Sequence, residues 1–153
     1  MINRLNENII KRTKQVFLTM FQVEVEAGAP YIVDSEIDTG WDISGVISVA
    51  GSLSGLITMR YHRRLAQFLL EHSRLQSMDY EMNHRMLNDM IGEVANTIAG
   101  NVLSEIVVDE LLISIPVAIQ GENHTISWPR NTEITAVPFK IGSETFVVQA
   151  GLK

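Results

Sequence analysis

Asp89-Met-Ile-Gly-Glu93-Val-Ala-Asn96-Thr-Ile-Ala-Gly100-Asn-Val-Leu103 is the stretch around which the rest of the chain has to be arranged. Leu87, Ile91, Val94, Ile98 and Val102, with Ala95 and Ala99 beside them, recur at helical spacing and form one apolar stripe. At about 100° per residue the polar side chains collect on the opposite side. Asp89, Glu93 and Asn96 stand at i, i+4 and i+7, so they line up as one column pointing away from the core. An acid and a carboxamide three residues apart on a helix can touch the same small object.

Working outward, this helix is expected to run over about residues 79–106, with Ser77 or Asp79 as its N-cap. Leu65, Phe68, Leu69, Leu70 and Leu75 predict a preceding helix over 63–75. A third covers 2–21, with Ile2, Leu5, Ile9, Thr13, Val16, Phe17 and Met20 on one stripe and Arg4, Glu7, Lys11, Lys14 and Gln15 opposite. Val23, Val25 and Ala27 alternate with Glu24 and Glu26 as a half-buried strand, interrupted by Gly28-Ala-Pro30. Strands over 43–50 and 53–61 turn at Gly51-Ser52, and strands over 132–141 and 144–150 turn at Gly142-Ser143. A further strand over 111–120 contains Pro116, which predicts an edge, a bulge or a bend. The order is helix, strand, hairpin, a linking helix, then helix, strand, hairpin. The expected fold is α+β: a mostly antiparallel six-stranded sheet with three helices on one face, built from two pseudo-equivalent halves in a single domain over residues 1–153.

Composition removes several functions. Hydrophobic residues make up 46% of the 153, enough for an ordinary core. A net charge of −6 argues against a nucleic-acid surface, which needs clustered Lys and Arg. With no cysteine there is no disulfide, thiolate catalysis or Cys-ligated zinc. No apolar run approaches the roughly 18–20 residues that span a bilayer, and the polar N-terminus is unlike a signal peptide, so a cytoplasmic protein is expected.

Few chemical signatures survive inspection. His62, His72, His84 and His124 have no ligand spacing, so no metal site is expected. Gly51-Ser-Leu-Ser-Gly55 carries Leu53 where a nucleophile elbow needs serine. No phosphate-cradling glycine loop is present. Arg60, Arg63 and Arg64 read as a solvated helix end more readily than as a binding patch. Asn123-His-Thr125 matches a glycosylation sequon, which means nothing in a cytosolic chain.

The polar column itself would ordinarily be a solvated helix face. Three details point elsewhere. Met86, Met90 and Leu103 flank it, and adaptable Met often marks contact surface. Gly92 and Gly100 interrupt the helix at a cost of about 1 kcal/mol each against Ala. Asn is a poor helix-interior residue, so Asn96 needs a reason to be there.

The column resembles the signature of the CheC/CheX/FliY family of chemotaxis phosphatases: Asp or Ser, three residues, Glu, two residues, Asn, and later a Pro. Here it reads Asp89, Glu93 and Asn96, with Pro116 twenty positions beyond the Asn and no role assigned to it. The continuation Asn96-Thr97-Ile-Ala99-Gly100 and the order of elements are also similar. The first helix lacks the motif, because Glu7 is followed three residues later by Ile10; a single site resembles the CheX type.

That resemblance implies a phosphatase for the aspartyl phosphate of a CheY-type response regulator, with Mg²⁺ on the regulator, no cofactor in this chain, and a homodimer. It implies that Asn96 orients the attacking water and that Glu93 pairs with the regulator's lysine. Asp89, Met86, Met90, Gly92, Thr97 and Gly100 would meet the partner. The rival is a non-catalytic module that binds a response regulator; a small-molecule enzyme is disfavoured because no nucleophile–base pair is legible.

Overall fold

The computed structural model describes residues 2–34, 38–73, 80–107 and 109–153. Helix α1 spans Ile2–Phe21, α2 Arg63–His72 and α3 Tyr80–Ile106. The strands are β1 (Glu26–Ala27), β2 (Tyr31–Ile32), β3 (Ile43–Gly51), β4 (Gly55–Tyr61), β5 (Leu111–Ile113), β6 (Val117–Gln120), β7 (Thr135–Ile141) and β8 (Glu144–Leu152). Ser77 and Asp79, the expected N-caps of α3, lie outside the described residues. Helix α2 ends at His72, where the Ser73 hydroxyl donates to the Leu70 carbonyl; Leu75, expected within it, lies outside the described residues.

Eight strands occupy six positions in one antiparallel sheet of order β1-β7-β8-β4-β3-β5. β2 shares the β1 position by pairing with β7, and β6 shares the β5 position by pairing with β3. The two extra strands arise where a proline interrupts an expected strand: Pro30 between β1 and β2, Pro116 between β5 and β6. Proline has no N–H for a ladder, so both breaks fall on edge positions. At the second break the Ser48 amide donates to the Ser114 hydroxyl at 2.9 Å in place of a backbone carbonyl.

The pseudo-equivalence expected of the halves is visible in the pairing. The broken strand of each half adds to the hairpin of the other: β1 and β2 to β7, β5 and β6 to β3. The two hairpins join at β4 and β8.

Register determines which side chains meet the helices. Ile43 opposite Tyr61, Gly45 opposite Met59 and Ile47 opposite Ile57 share one face, continued by Phe146, Val148 and Ala150 on β8. These residues are buried. Phe17 of α1 stacks on Phe146 with centroids 4.8 Å apart. Helix α3 lies on β3 over Gly45, where a Cβ would come within 3.0 Å of the Ala95 Cβ and 3.1 Å of the Ile91 carbonyl oxygen.

The opposite face carries a buried polar network that the sequence did not announce. Arg60 is 1% exposed. Its Nη1 donates to Asp38 at 2.6 Å, its Nη2 to the His124 carbonyl at 2.8 Å, and its Nε to the Ser44 hydroxyl at 3.2 Å. Gln149 donates to the same Asp38 carboxylate at 2.9 Å and accepts from Thr58 at 3.0 Å. Burial lowers the Arg60 pKa from its ordinary value, and Asp38 opposes that shift. Arg60 is therefore no part of a solvated basic cluster; only Arg64, near Glu144 at 3.5 Å, is fully on the surface.

Removing one member of such a pair strands a charge in low dielectric. Asp38→Ala is expected to lower stability by about 3–5 kcal/mol in urea unfolding, and Asp38→Leu combined with Arg60→Met by less than that single change. A double variant at least as unstable as Asp38→Ala would show that the ion pair adds net stability beyond charge neutralisation.

Candidate functional site

Helix α3 buries Leu87, Met90, Ile91, Val94, Ala95, Ile98, Ala99, Val102 and Leu103. The column stands outside that face: Asp89, Glu93 and Asn96 are exposed, and Gly100 is partly so. Among the described residues none forms a hydrogen bond with the Asn96 carboxamide. The Thr97 hydroxyl donates to the Glu93 carbonyl at 2.8 Å and lies 3.4 Å from the Glu93 carboxylate. A missing side chain at Gly100 leaves open space, with nothing within 4 Å of where a Cβ would stand.

Different neighbours border the two sides of this ridge. Toward α1 lies a groove of about 490 Å³, lined by Met20, Phe21, Met86 and Met90 with Asp89 and Glu93 at its rim. Met86 is half-buried, whereas Met90 is 4% exposed and belongs to the core, as does Leu103. The sequence pattern places Met90 and Leu103 at the edge of the polar face; in the fold both are buried, Met90 beside Met20 and Phe21 of α1.

Toward β6 the ridge is gripped by its own chain. Gly92 is buried, and a Cβ there would lie 3.5 Å from Pro116. The clearance expected of Gly92 for a partner is thus used inside the chain, and Pro116 acquires a role: it packs on the helix one turn below Asn96. Four residues before Gly92, Asn88 accepts from Gln120 Nε2 at 2.8 Å.

The histidines do not converge. His62 stacks on Trp41 at 4.7 Å and His72 on Phe68 at 5.5 Å. Among the described residues no group of three His, Cys, Asp or Glu could hold a metal ion. One nucleophile–base pair does form, against expectation. Ser44 Oγ and His124 Nε2 are 2.7 Å apart, and His124 Nδ1 is 2.7 Å from the Gly121 carbonyl. Ser44 is completely buried and already accepts from Arg60, so the pair is a clip for the loop after β6 rather than a reacting centre. Asn88, Gln120, Asp38 and His124 escaped the sequence reading because each finds its partner far away in the chain, where no periodicity signals it.

A carboxamide that both donates and accepts, next to a carboxylate, stands on a convex ridge. Small-molecule sites are concave. Side chains exposed in this way are open to contact by another macromolecule.

The family model described as chemotaxis phosphatase CheX matches residues 43–140. No curated protein matches the chain. Among solved structures, a CheX of Desulfovibrio desulfuricans is similar at 25% identity and a TM-score of 0.83, with 97% of each chain covered. A Desulfovibrio vulgaris Hildenborough protein with a provisional chemotaxis assignment reaches 27% identity and a TM-score of 0.85 over 97% of this chain and 96% of its own. A CheX–CheY–BeF3–Mg²⁺ complex of Borrelia burgdorferi is similar at 25% identity and a TM-score of 0.82, covering 96% of each chain. No helix among the described residues is long and apolar enough to cross a membrane. The matched span includes the whole of α3 and most of the sheet beneath it, and this chain belongs to the chemotaxis phosphatase CheX family.

Proposed function

We propose that this chain, acting as one cytoplasmic domain, hydrolyses the aspartyl phosphate of a CheY-type response regulator. The observation that carries the reading is Asn96: an exposed carboxamide with no hydrogen-bond partner among the described residues, on a ridge that its own fold leaves bare. Support comes from the family description and from the CheX–CheY–BeF3–Mg²⁺ complex of Borrelia burgdorferi.

The ridge enters the regulator's phosphorylation cleft. Asn96 donates to and accepts from a water molecule and aligns it with phosphorus. Water attacks, the bond from phosphorus to the acyl oxygen breaks, and the products are inorganic phosphate and a free aspartate on the regulator. Glu93 pairs with a lysine of the regulator beside the phosphate; unpaired, its charge would repel the phosphoryl group. Thr97 restrains the Glu93 side chain, Asp89 and Met86 meet the cleft rim, and Gly100 admits the partner's backbone. Mg²⁺ belongs to the regulator and neutralises phosphate charge there.

Asn96→Ala is expected to retain binding to a BeF3-loaded regulator while phosphate release slows at least ~10²-fold, the scale for one preorganised polar group. Glu93→Ala weakens that binding by at least about tenfold. Phosphate release from Asn96→Ala within a few-fold of the parent removes Asn96 from the mechanism. A parent protein that binds the regulator without accelerating phosphate loss is instead a non-catalytic binding module.

Gly100→Ala relieves a helix-interior glycine and gains about 0.5–1 kcal/mol, read as a higher Tm. The added methyl lowers affinity for the regulator; unchanged affinity would deny Gly100 its role in clearance.

We also propose a homodimer through the β5–β6 edge. Leu112 is 76% exposed and Ile115 86%, with Ile113 and Val117 also exposed, an apolar row on an unpaired strand edge. Light scattering on eluting protein at tens of micromolar is expected to give a dimer mass, and Ile115→Lys a monomer. A monomeric parent overturns this assembly.

A further inference from the structure

We infer that Asn88 and Gln120 are positioning residues that set the rotation of α3 and, through it, the direction of Asn96; the inference rests on the phosphatase reading above. The observation is a chain of hydrogen bonds joining three elements beside the motif. Arg63 Nη1, at the start of α2, donates to Gln120 Oε1 at 3.3 Å. Gln120 Nε2, at the end of β6, donates to Asn88 Oδ1 at 2.8 Å and lies 3.5 Å from the His84 carbonyl.

The orientation of these amides follows from their partners. A guanidinium only donates and a carbonyl only accepts. Arg63 therefore holds the Gln120 oxygen, the Gln120 nitrogen faces α3, and Asn88 must accept. Flipping either amide would set donor against donor or acceptor against acceptor.

Asn88 and Gly92 are four residues apart, so they share one face of α3. Gln120 and Pro116 bracket β6 and touch that face at those two positions. One contact is a hydrogen bond and the other a van der Waals stop. Apolar packing alone tolerates small rotations of a helix on a sheet, because it is non-directional. A hydrogen bond weakens steeply as its angle departs from linear. The Gln120–Asn88 bond therefore supplies the rotational reference, eight residues before Asn96. A small misplacement of a water-orienting group is costly to rate, up to about 10²-fold for 1 Å.

The test is steady-state turnover of phosphorylated regulator by Asn88→Leu, Asn88→Asp and Gln120→Leu, with Tm measured on each. Asn88→Asp keeps an acceptor for Gln120 Nε2 and is expected to hold kcat within twofold of the parent. Asn88→Leu and Gln120→Leu remove the bond and are expected to lower kcat roughly five- to tenfold, with KM within twofold, because the docking groups remain. The side-chain NH2 resonances of Asn96 should move in Asn88→Leu and stay in place in Asn88→Asp. A merely structural role would lower Tm equally without this split between kcat and KM. If Asn88→Leu turns over at the parental rate while Asn96→Ala does not, the clamp is overturned and the phosphatase reading stands. Equal loss in the Leu and Asp variants also overturns it. An active Asn96→Ala sinks both.

Discussion

The close seat of α3 on β3 is the constraint from which the rest of the molecule follows. Gly45 lacks a side chain at the crossing, and a Cβ there would lie 3.0 Å from the Ala95 Cβ and 3.2 Å from Ile91 Cγ2. Helix and sheet meet almost backbone to backbone, so the helix cannot lift off the sheet without losing contact along its length. Interiors packed to this density have few alternative arrangements. Once Ile91, Ala95 and Ala99 are committed to the sheet, the opposite side of α3 must face outward, and that side carries Asp89, Glu93, Asn96 and Gly100. Their exposure follows from the packing beneath them.

The same seat explains why the ridge is convex and narrow. α1 packs along one flank, where the Arg12 guanidinium pairs with Glu105, and β6 lies along the other. Neither rises high enough to wall the ridge in. The groove beside it is floored by methionine, a side chain that adapts to different shapes. A site of this form presents its polar groups outward. It can complete a site elsewhere, and phosphoryl transfer suits that division, since it needs positioning and charge more than a covalent group.

Much of this was legible in the chain itself, and the reasons differ by element. α1 and α3 announced their inward faces because both stripes repeat at 3.6 residues over many turns. The six sheet positions were legible from alternation and turn residues, but the count of strands was not. Pro30 and Pro116 each divide a strand by removing one ladder donor, and whether a proline bends or breaks a strand depends on the partner strand, as Ser114 with Ser48 shows. The exposure of Glu93 and Asn96 was readable from one helix alone. The burial of Met90 was not, because it depends on α1 arriving beside it. Gly92 misled for a related reason: a helical glycine signals that something comes close, and the sequence does not say whether the visitor is Pro116 or another molecule. The Arg60–Asp38–Gln149 network lay beyond reach altogether, since its members come from three separate strands and loops.

The swapped pairing of the two halves bears on why the motif stands on α3 and not on α1. Each half contributes a helix lying on the sheet, and Glu7 of α1 occupies the place that Glu93 has in α3 by sequence pattern. Three residues on, the first half has Ile10, which is partly buried and packed against the core. An apolar residue at that position contributes to folding, since burying a full isoleucine side chain is worth about 1.5–3 kcal/mol. A carboxamide held bare toward solvent contributes nothing of the kind, and Asn also weakens the helix that carries it. The first half spends its helix face on stability and supplies the strand that completes the hairpin of the second, β1 and β2 on β7. The second half carries the polar ridge and two helix glycines, features that oppose folding locally. The two halves thus divide the labour: the helix without the motif helps stabilise the fold that presents the helix with it.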